Sequence, residues 1–317
     1  MRYYDIALSQ PNATTPAIHF TSHPNGQYDP AALNVLFDMP ILPYDTPVGG
    51  QTIQVEGVPL QLLGEAQDLA GWNIEVIGGM KKGLPLANPN QAGLLAKGQI
   101  FQSWGNWEGT EMVLNLLLMP SGYTMSEPGN LMFIWRAGQS LPDALTSMFS
   151  TAYPGMPVSI NVGSNLKVDY DFIDRASSLE SFAGMFTSFT EKQFGQAVTI
   201  TIQAGKIVVF DSTHKPSPIQ MEFTDFVGQP TWIEKQVMQV KTVMRGDLQI
   251  GSIIKMPKGF QNAPGFITTV GSSYPSSIRY KSAFQNDFMI KEMRHVGDYR
   301  SPDGSAWSTI FNCIPQG

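Results

Sequence analysis

The chain has 317 residues, 42% hydrophobic and only 15% charged, with 30 Gly, 23 Pro and a formal net charge of −6. That is length enough for two ordinary domains, and the turn-forming composition favours a folded, β-rich body with few long helices over a disordered chain or a helical bundle. A lone cysteine, Cys313, excludes an intrachain disulfide, no apolar run reaches the roughly 18 residues of a membrane-spanning helix, and eight acids against Arg2 alone in residues 1–80 argue against nucleic-acid binding there.

From the N-terminus, MRYYDIALSQP has no apolar stretch of the kind a signal peptide carries, so none is expected and the sequon Asn12-Ala13-Thr14 reads as incidental. Residues 1–137 read as short strands set between Pro/Gly turns: NVLFDMPIL, TIQVEG and WNIEVIGG. A long stretch without periodicity, residues 78–98, precedes two more strand-like runs, QIFQSWGNWEG and TEMVLNLLLMPSG.

The pattern changes at residue 138. Ser140 with Asp143 three residues on predicts a capped helix start, and Leu141, Leu145, Met148 and Phe149 share one helical face up to Tyr153-Pro154-Gly155. The strand MPVSINV follows. A second helix carries Leu179, Phe182, Phe186 and Phe189 as a core stripe and stops at Gly195. AVTITIQAGKIVVFD reads as a hairpin, with Val198, Ile200 and Ile202 on one face and Thr199, Thr201 and Gln203 on the other. Residues 212–317 return to strands: two flank Arg245-Gly246-Asp247, another is GFITTVG, and FMIKEMRHV and AWSTIFNCI flank Ser301-Pro302-Asp303-Gly304. The expected fold class is therefore mainly β with an α+β insert: two related β-barrel domains, 1–137 and 212–317, flanking a small α/β unit, 138–211.

The two β regions end alike. Gly105-Asn106-Trp107 falls on Gly297-Asp298-Tyr299; the second copy then has three extra residues, after which Glu108-Gly109 falls on Asp303-Gly304, Leu116 on Phe311 and Pro120 on Pro315. Each copy is a pair of strands joined by a Gly-bearing turn with an aromatic residue at its entry, and each is expected to close one barrel. Gly105, Trp107, Gly297, Tyr299 and Trp307 are then structural hairpin residues. Asp298 and Asp303 bond their own turns, and Trp307, Thr309 and Phe311 alternate onto a core face.

No chemistry assembles around these residues. His295-x-x-Asp298 has no obvious ligand partners, since the other histidines are at 19, 23 and 214. Ser252-x-x-Lys255 lies in a strand pattern rather than opening a helix, and GxSxG, GxGxxG, P-loop and HExxH motifs are absent. Cys313 sits in the last strand and reads as packing. Trp104 and Trp107 read either as a sugar-stacking platform or as one core and one interface residue. No catalytic, cofactor or metal residues are assigned, and the chain is not expected to be an enzyme.

With the order barrel, α/β insert, barrel in hand, the chain resembles the baseplate hub proteins of contractile-tailed phages, the late control protein D family, which is related to the N-terminal part of type VI secretion spike proteins. The resemblance is carried by SLPDALTSMFSTAYPGMPVSINV, SLESFAGMFTSFTEKQFG, IQMEFTDFVGQPTWIEKQVMQVKTVMRGDLQIGSIIKMP and RHVGDYRSPDGSAWSTIFNCIP. It implies a homotrimer whose six quasi-equivalent barrels join a threefold central spike to a sixfold tail tube and let DNA pass. Its implied place is the virion's tail baseplate, assembled in the host cytoplasm. Implied partners are other copies of the chain, the spike, the tail tube, and the tape measure and other baseplate proteins. No specific nucleic-acid binding and no membrane insertion are expected. A channel that lets DNA slide must not hold phosphates, so some of the front-half acids, Asp29, Asp38, Asp45 and Glu56 among them, are expected to face the lumen or the tube. Late bases such as Arg279, Lys281 and Lys291 are expected to face neighbouring subunits or the acidic front half of the next chain. The other reading kept is a tail-associated adhesin or carbohydrate-binding protein.

Overall fold

A computed structural model describes residues 1–43, 50–81, 88–120, 130–257 and 287–316. The fold is mainly β with a small helical insert. Its first β half comprises β1 (Arg2–Ser9), β2 (Ile18–Thr21), β3 (Asn34–Ile41), β4 (Gln51–Glu56), the short helix α1 (Leu60–Gly64), β5 (Asn73–Met80), β6 (Gly93–Glu108) and β7 (Glu111–Pro120). Strict alternation makes these strands: in β3, Val35, Phe37, Met39 and Ile41 are buried, and the residues between them turn away from the core. Pro40 is tolerated in β3 because pairing with β4 ends at Asp38↔Thr52, and its carbonyl accepts the Gln51 amide at 3.1 Å. Residues 93–98, which lack periodicity in the sequence, are the start of β6; there β5 pairs with them from Gly78↔Gly93 to Asn73↔Gln99, with a register shift between Val76 and Ile77.

The insert holds β8 (Leu131–Trp135), α2 (Leu141–Ala152), β9 (Val158–Asn161), β10 (Phe172–Ala176), α3 (Leu179–Phe194), β11 (Thr199–Gln203) and β12 (Lys206–Phe210). Both helices start where capping chemistry puts them: Ser140 Oγ accepts from the Asp143 amide, and Ser178 Oγ accepts from the Ser181 amide at 3.1 Å. Gly195, at φ +67°, ends α3 in the left-handed conformation. The hairpin β11–β12 turns through Ala204 and Gly205, both at positive φ, and β9 adds to β12 in parallel. Thr201 and Gln203 are buried as well as the apolar face of β11, so this strand is covered on both sides. Packing divides the chain into one unit of 1–41, 50–119 and 216–317 and another of 42–49 and 120–215. The insert is thus wider than 138–211. β8 belongs to it because it pairs with β10, placing Phe133 against Phe182 and Phe186 in the insert's own core.

The second β half comprises β13 (Ile219–Gln220), β14 (Thr231–Glu234), β15 (Val237–Val243), β16 (Ile253–Lys255), β17 (Asp287–Asp298) and β18 (Trp307–Pro315). The segment GFITTVG lies outside the described residues.

The expected repeat goes beyond the closing hairpins. In the first half the sheet runs β3-β4-β7-β6-β5-β1; in the second it runs β14-β15-β18-β17-β16-β13. Taken in chain order among the described residues, strand matches strand between the two halves, with β2 the one addition to the first. The match departs at its far edge, where β1 meets β5 antiparallel but β13 meets β16 in parallel. The two halves share one 13-stranded sheet, because β17 pairs with β3 from Met293↔Ile41 to Asp298↔Leu36.

Candidate assembly and channel surfaces

The terminal hairpin shows how one half is built to meet the other. β17 leads two lives along its length: Asp287, Phe288 and Met289 pair with β16 of its own half, whereas residues 293–298 pair with β3 of the first half. Its tip enters the first half's core. The Trp307 indole is 2% exposed, meets Phe37 and Tyr299 edge-on at 5.0 and 6.0 Å, and donates to the Gly79 carbonyl at 2.9 Å. The sequence places Trp307 correctly in a core, but the core belongs to the other half of the repeat. Tyr299 packs edge-on against Tyr4 at 4.9 Å. Gly297 is required to be glycine, because a Cβ there would lie 2.4 Å from the Phe37 ring.

Two arginines fasten this tip by its backbone. Arg2 donates to the carbonyls of Asp298 and Tyr299 at 2.7 and 3.1 Å and also to those of Ser301 and Asp303. Arg300 donates to the carbonyls of Pro30 and Ala32, and its amide to Asn34 Oδ1 at 3.0 Å. The aspartates do the turn work expected of them: Asp298 Oδ1 accepts from the Ser301 amide at 3.1 Å, and Asp303 Oδ1 from the Ser305 amide at 2.8 Å.

His295 is part of this packing. It is 1% exposed, its Nδ1 lies 3.0 Å from Thr309 Oγ1, and burial pushes its pKa down to about 3, so the ring is neutral at physiological pH. Cys313 is fully buried, its Sγ donates to the Met238 carbonyl at 3.3 Å, and burial pushes the thiol pKa up. Neither residue is placed for chemistry. Among the described residues no group of three His, Cys, Asp or Glu is arranged to hold a metal. A cleft of about 370 Å³ is lined by Tyr3, Asp5, His19, His23 and Lys81; inside it His19 pairs with Asp5 at 2.7 Å and Lys81 lies over the Tyr3 ring.

A second tie joins the halves, and neither its lattice of partners nor its burial is visible in the sequence. Arg245, 2% exposed, meets Asp225 at 3.0 Å and Asp247 at 2.7 Å, while the Gln91 amide donates to Asp225 Oδ1 at 2.6 Å. Beside it the Gly246 amide donates to the Gln91 carbonyl at 2.8 Å, and a Cβ on Gly246 would lie 2.5 Å from the backbone of Gly93. Arg245 is thus the buried centre of a clasp, with Gly246 half-buried beside it and Asp247 at its exposed rim.

The corresponding tip on the first hairpin has a different fate. On β6, Phe101 is 46% exposed, Trp104 41% and Trp107 64%. Trp107 occupies the place that Tyr299 holds in the repeat, yet it packs into no core; its indole N–H is tied to the Gly109 carbonyl at 2.9 Å. Neither Trp104 nor Trp107 is the core residue that the sequence reading offered for one of them. Gly105 does have a packing reason to be glycine, since a Cβ there would lie 2.8 Å from the Leu63 side chain of α1.

The face of the shared sheet turned away from the core is rich in amides. Across β3, β4 and β7, Asn34 donates to Glu56 at 2.9 Å and Gln54 to Asn115 at 3.0 Å. Across β15, β18 and β17, Gln239 donates to Asn312 at 3.3 Å and Asn312 to Glu292 at 3.0 Å. At the join, Arg294 grips Asp38. Of the acids singled out from sequence, Asp38 and Glu56 are on this face, Asp29 caps its own turn by accepting from the Ala31 amide at 2.8 Å, and Asp45 lies outside the described residues, as do Arg279 and Lys281. Lys291 is exposed.

No protein-family model matches the sequence and no curated protein matches it. Solved structures do share the fold. The 43 kDa tail protein of prophage MuSo2 from Shewanella oneidensis superposes with a TM-score of 0.54 at 6% identity, over 100% of this chain and 98% of that one. The E. coli c3393 protein, a type VI secretion component described as structurally similar to the phage T4 tail proteins gp27 and gp5, gives 0.52 at 10% identity over 90% of this chain and 74% of that one. A chain of a PdpA–VgrG complex gives 0.51 at 7% identity, over 100% of this chain and 65% of that one. At such identities the likeness is one of fold.

Proposed function

We propose that this chain is a non-enzymatic structural component of a phage-type tail, the baseplate hub, and that three copies form a ring joining a threefold spike to a sixfold tube. The observation that carries the reading is the duplicated strand order within one continuous sheet. A chain that contains two equivalent halves, already joined edge to edge, presents six equivalent units when three copies close a ring, which is the geometry an adaptor between threefold and sixfold partners needs. The likeness of fold to tail and type VI secretion proteins supports the same reading. So does the amide-rich face of the shared sheet, which suits a passage that must not grip DNA.

Mass photometry of the purified chain, alone and with the spike protein, tests the reading. Particles of three times the 34.8 kDa chain mass are expected, at least with the spike present; a strictly monomeric chain in the complex would refute it. The exposed Trp104 and Trp107 keep the adhesin reading as the competitor. A glycan-array signal that Trp104→Ala abolishes would favour that reading over the hub.

A further inference from the structure

We propose that the cleft on the outward face of β1 and β2 binds a small phosphate monoester with a hydroxylated body, of the sugar phosphate class: Lys81 and His23 take the phosphate, and the Asp5–His19 pair takes a hydroxyl. The site lies wholly within the first β half and does not depend on the trimeric reading.

Alternation builds the cleft. Tyr4, Ile6 and Leu8 turn into the core, so Tyr3 and Asp5 stand on the opposite face of β1. Asp5 pairs with Thr21 and Ala7 with His19, which sets Asp5 and His19 diagonally across the ladder, in reach of their 2.7 Å contact. On its other side Tyr3 pairs with Gly79, which has no side chain to cover the ring. Lys81 lies over the ring instead, its Nζ 4.3 Å from the centroid. The short turn Pro24–Gly26, with Asn25 and Gly26 both at positive φ, walls the remaining side. The volume of about 370 Å³ is within the range of small-molecule sites.

One end of the cleft is cationic. Lys81 makes no ion pair among the described residues; it meets a ring, which leaves its N–H donors for a ligand. His23 is held from several sides. Its Nδ1 lies 2.9 Å from Ser22 Oγ, which also accepts from the Tyr4 amide at 3.1 Å, and the rings of Tyr3 and Tyr28 meet it edge-on at 5.4 and 5.7 Å. Its Nε2 has no hydrogen-bond partner among the described residues. Burial first, then the Lys81 and Met1 ammonium groups, keep its pKa below the ordinary value. A bound oxyanion reverses that balance and brings a proton onto Nε2, which then donates to the phosphate beside Lys81. The other end is the Asp5–His19 pair. Asp5 is the one carboxylate among the lining residues, and it is held by His19. A carboxylate so placed repels a second phosphate but accepts from a hydroxyl. The two ends together select a ligand that carries both groups. None of these side chains takes part in the hairpin grip, the Arg245 clasp or the amide-rich face.

The test is isothermal titration calorimetry of the full chain with glucose 6-phosphate, inorganic phosphate and glucose at constant ionic strength. Glucose 6-phosphate should bind saturably and more tightly than inorganic phosphate, and glucose should not bind. Lys81→Gln and His23→Gln should each weaken the ester by at least about tenfold. Asp5→Asn should remove the preference for the ester over inorganic phosphate. Lys291→Gln, at an exposed lysine of β17 outside the cleft, should change nothing. A second measurement needs no variant with altered binding: in an NMR titration of the wild type, the ester should raise the midpoint of the His23 ring signal, assigned by its loss in His23→Gln, by about one pH unit or more. Absence of saturable binding, an unmoved His23 midpoint, or binding that survives both Lys81→Gln and His23→Gln would overturn the proposal. So would glucose binding as tightly as its phosphate. Binding to phosphatidic acid vesicles that Lys81→Gln abolishes, with no response to the soluble ester, would make the ligand a lipid headgroup and overturn it too.

Discussion

At the scale of the residue, His295 shows how burial rather than composition decides a role. In sequence, a histidine beside two aspartates and an arginine has the makings of a site. In the fold its ring is enclosed between β3 and β18, opposite Met39 and Thr309, with Thr309 Oγ1 as a hydrogen-bond partner. Its folded pKa of about 3 lies far below the ordinary 6.5. In the window between these two values the unfolded chain binds a proton that the folded chain refuses, so the neutral ring's contribution is fully present above about pH 6.5 and is lost as pH falls toward 3, by up to roughly 1.4 kcal/mol per pH unit. His295→Gln, which retains a group able to reach Thr309, should therefore cost little at pH 8 and flatten the acid limb of stability. Chemical denaturation of both proteins from pH 8 to pH 4 checks this. Parallel acid limbs would show that His295 is not what makes the fold acid-sensitive. Loss of a bound metal on the same change would mean that the cluster is a site after all.

At the scale of the element, the closing hairpin does more than end its own half. Its base belongs to the second half, and its tip fills the first, held by the β3 ladder, by Trp307 in the core and by the arginine grips on backbone carbonyls. Trp307→Ala should therefore cost about 3–5 kcal/mol, as truncation of a buried Trp does, and the loss should appear in both halves. Hydrogen exchange is the measurement: protection should fall in β1 and β3 as well as in β17 and β18. A loss confined to the second half would contradict the shared core. Much of this was legible in sequence, because alternation and capping are local. Ser140 and Gly195 mark helix ends by their own chemistry, and Trp307, Thr309 and Phe311 mark a core face by spacing alone. Which core received Trp307 was not legible, since the β3–β17 pairing joins residues some 250 apart and leaves no local trace. Arg245 was hidden for the same reason. Its partner Asp225 is distant in the chain, as is Gln91, which donates to that carboxylate, and an Arg-Gly-Asp turn looks exposed until the Gly93–Gly246 contact closes over it. Trp107 misled in the opposite direction, because correspondence with Tyr299 predicts packing that its own half cannot provide.

At the scale of the whole molecule, the question is what the core-averted face of the shared sheet does. Along β15, β18, β17, β3, β4 and β7 it carries Gln239, Asn312, Arg294, Asp38, Gln54 and Asn115; the arginine–aspartate pair cancels, and the carboxylates of Glu292 and Glu56 on the same face accept from Asn312 and Asn34. The acidic surplus of the front half is therefore less a bare negative wall than the count of carboxylates suggests: Asp5 meets His19, Glu75 meets Lys97, and Asp38 is held by Arg294 from the far end of the same chain. Amides hydrogen-bonded to one another present little net charge to a polyanion, and a phosphate gains nothing by stopping there. In the proposed ring this face lines the passage. The assembled wild-type protein should then show no salt-dependent retention of double-stranded DNA at 50 mM salt. Gln54→Lys, which replaces an exposed amide on that face, should introduce one cation per chain, and three chains should bring retention that falls with salt at a slope of roughly −0.9 for each phosphate engaged. Binding by the wild type would show that the passage grips its cargo. A Gln54→Lys ring that binds no better than wild type would show that this face does not line the passage at all.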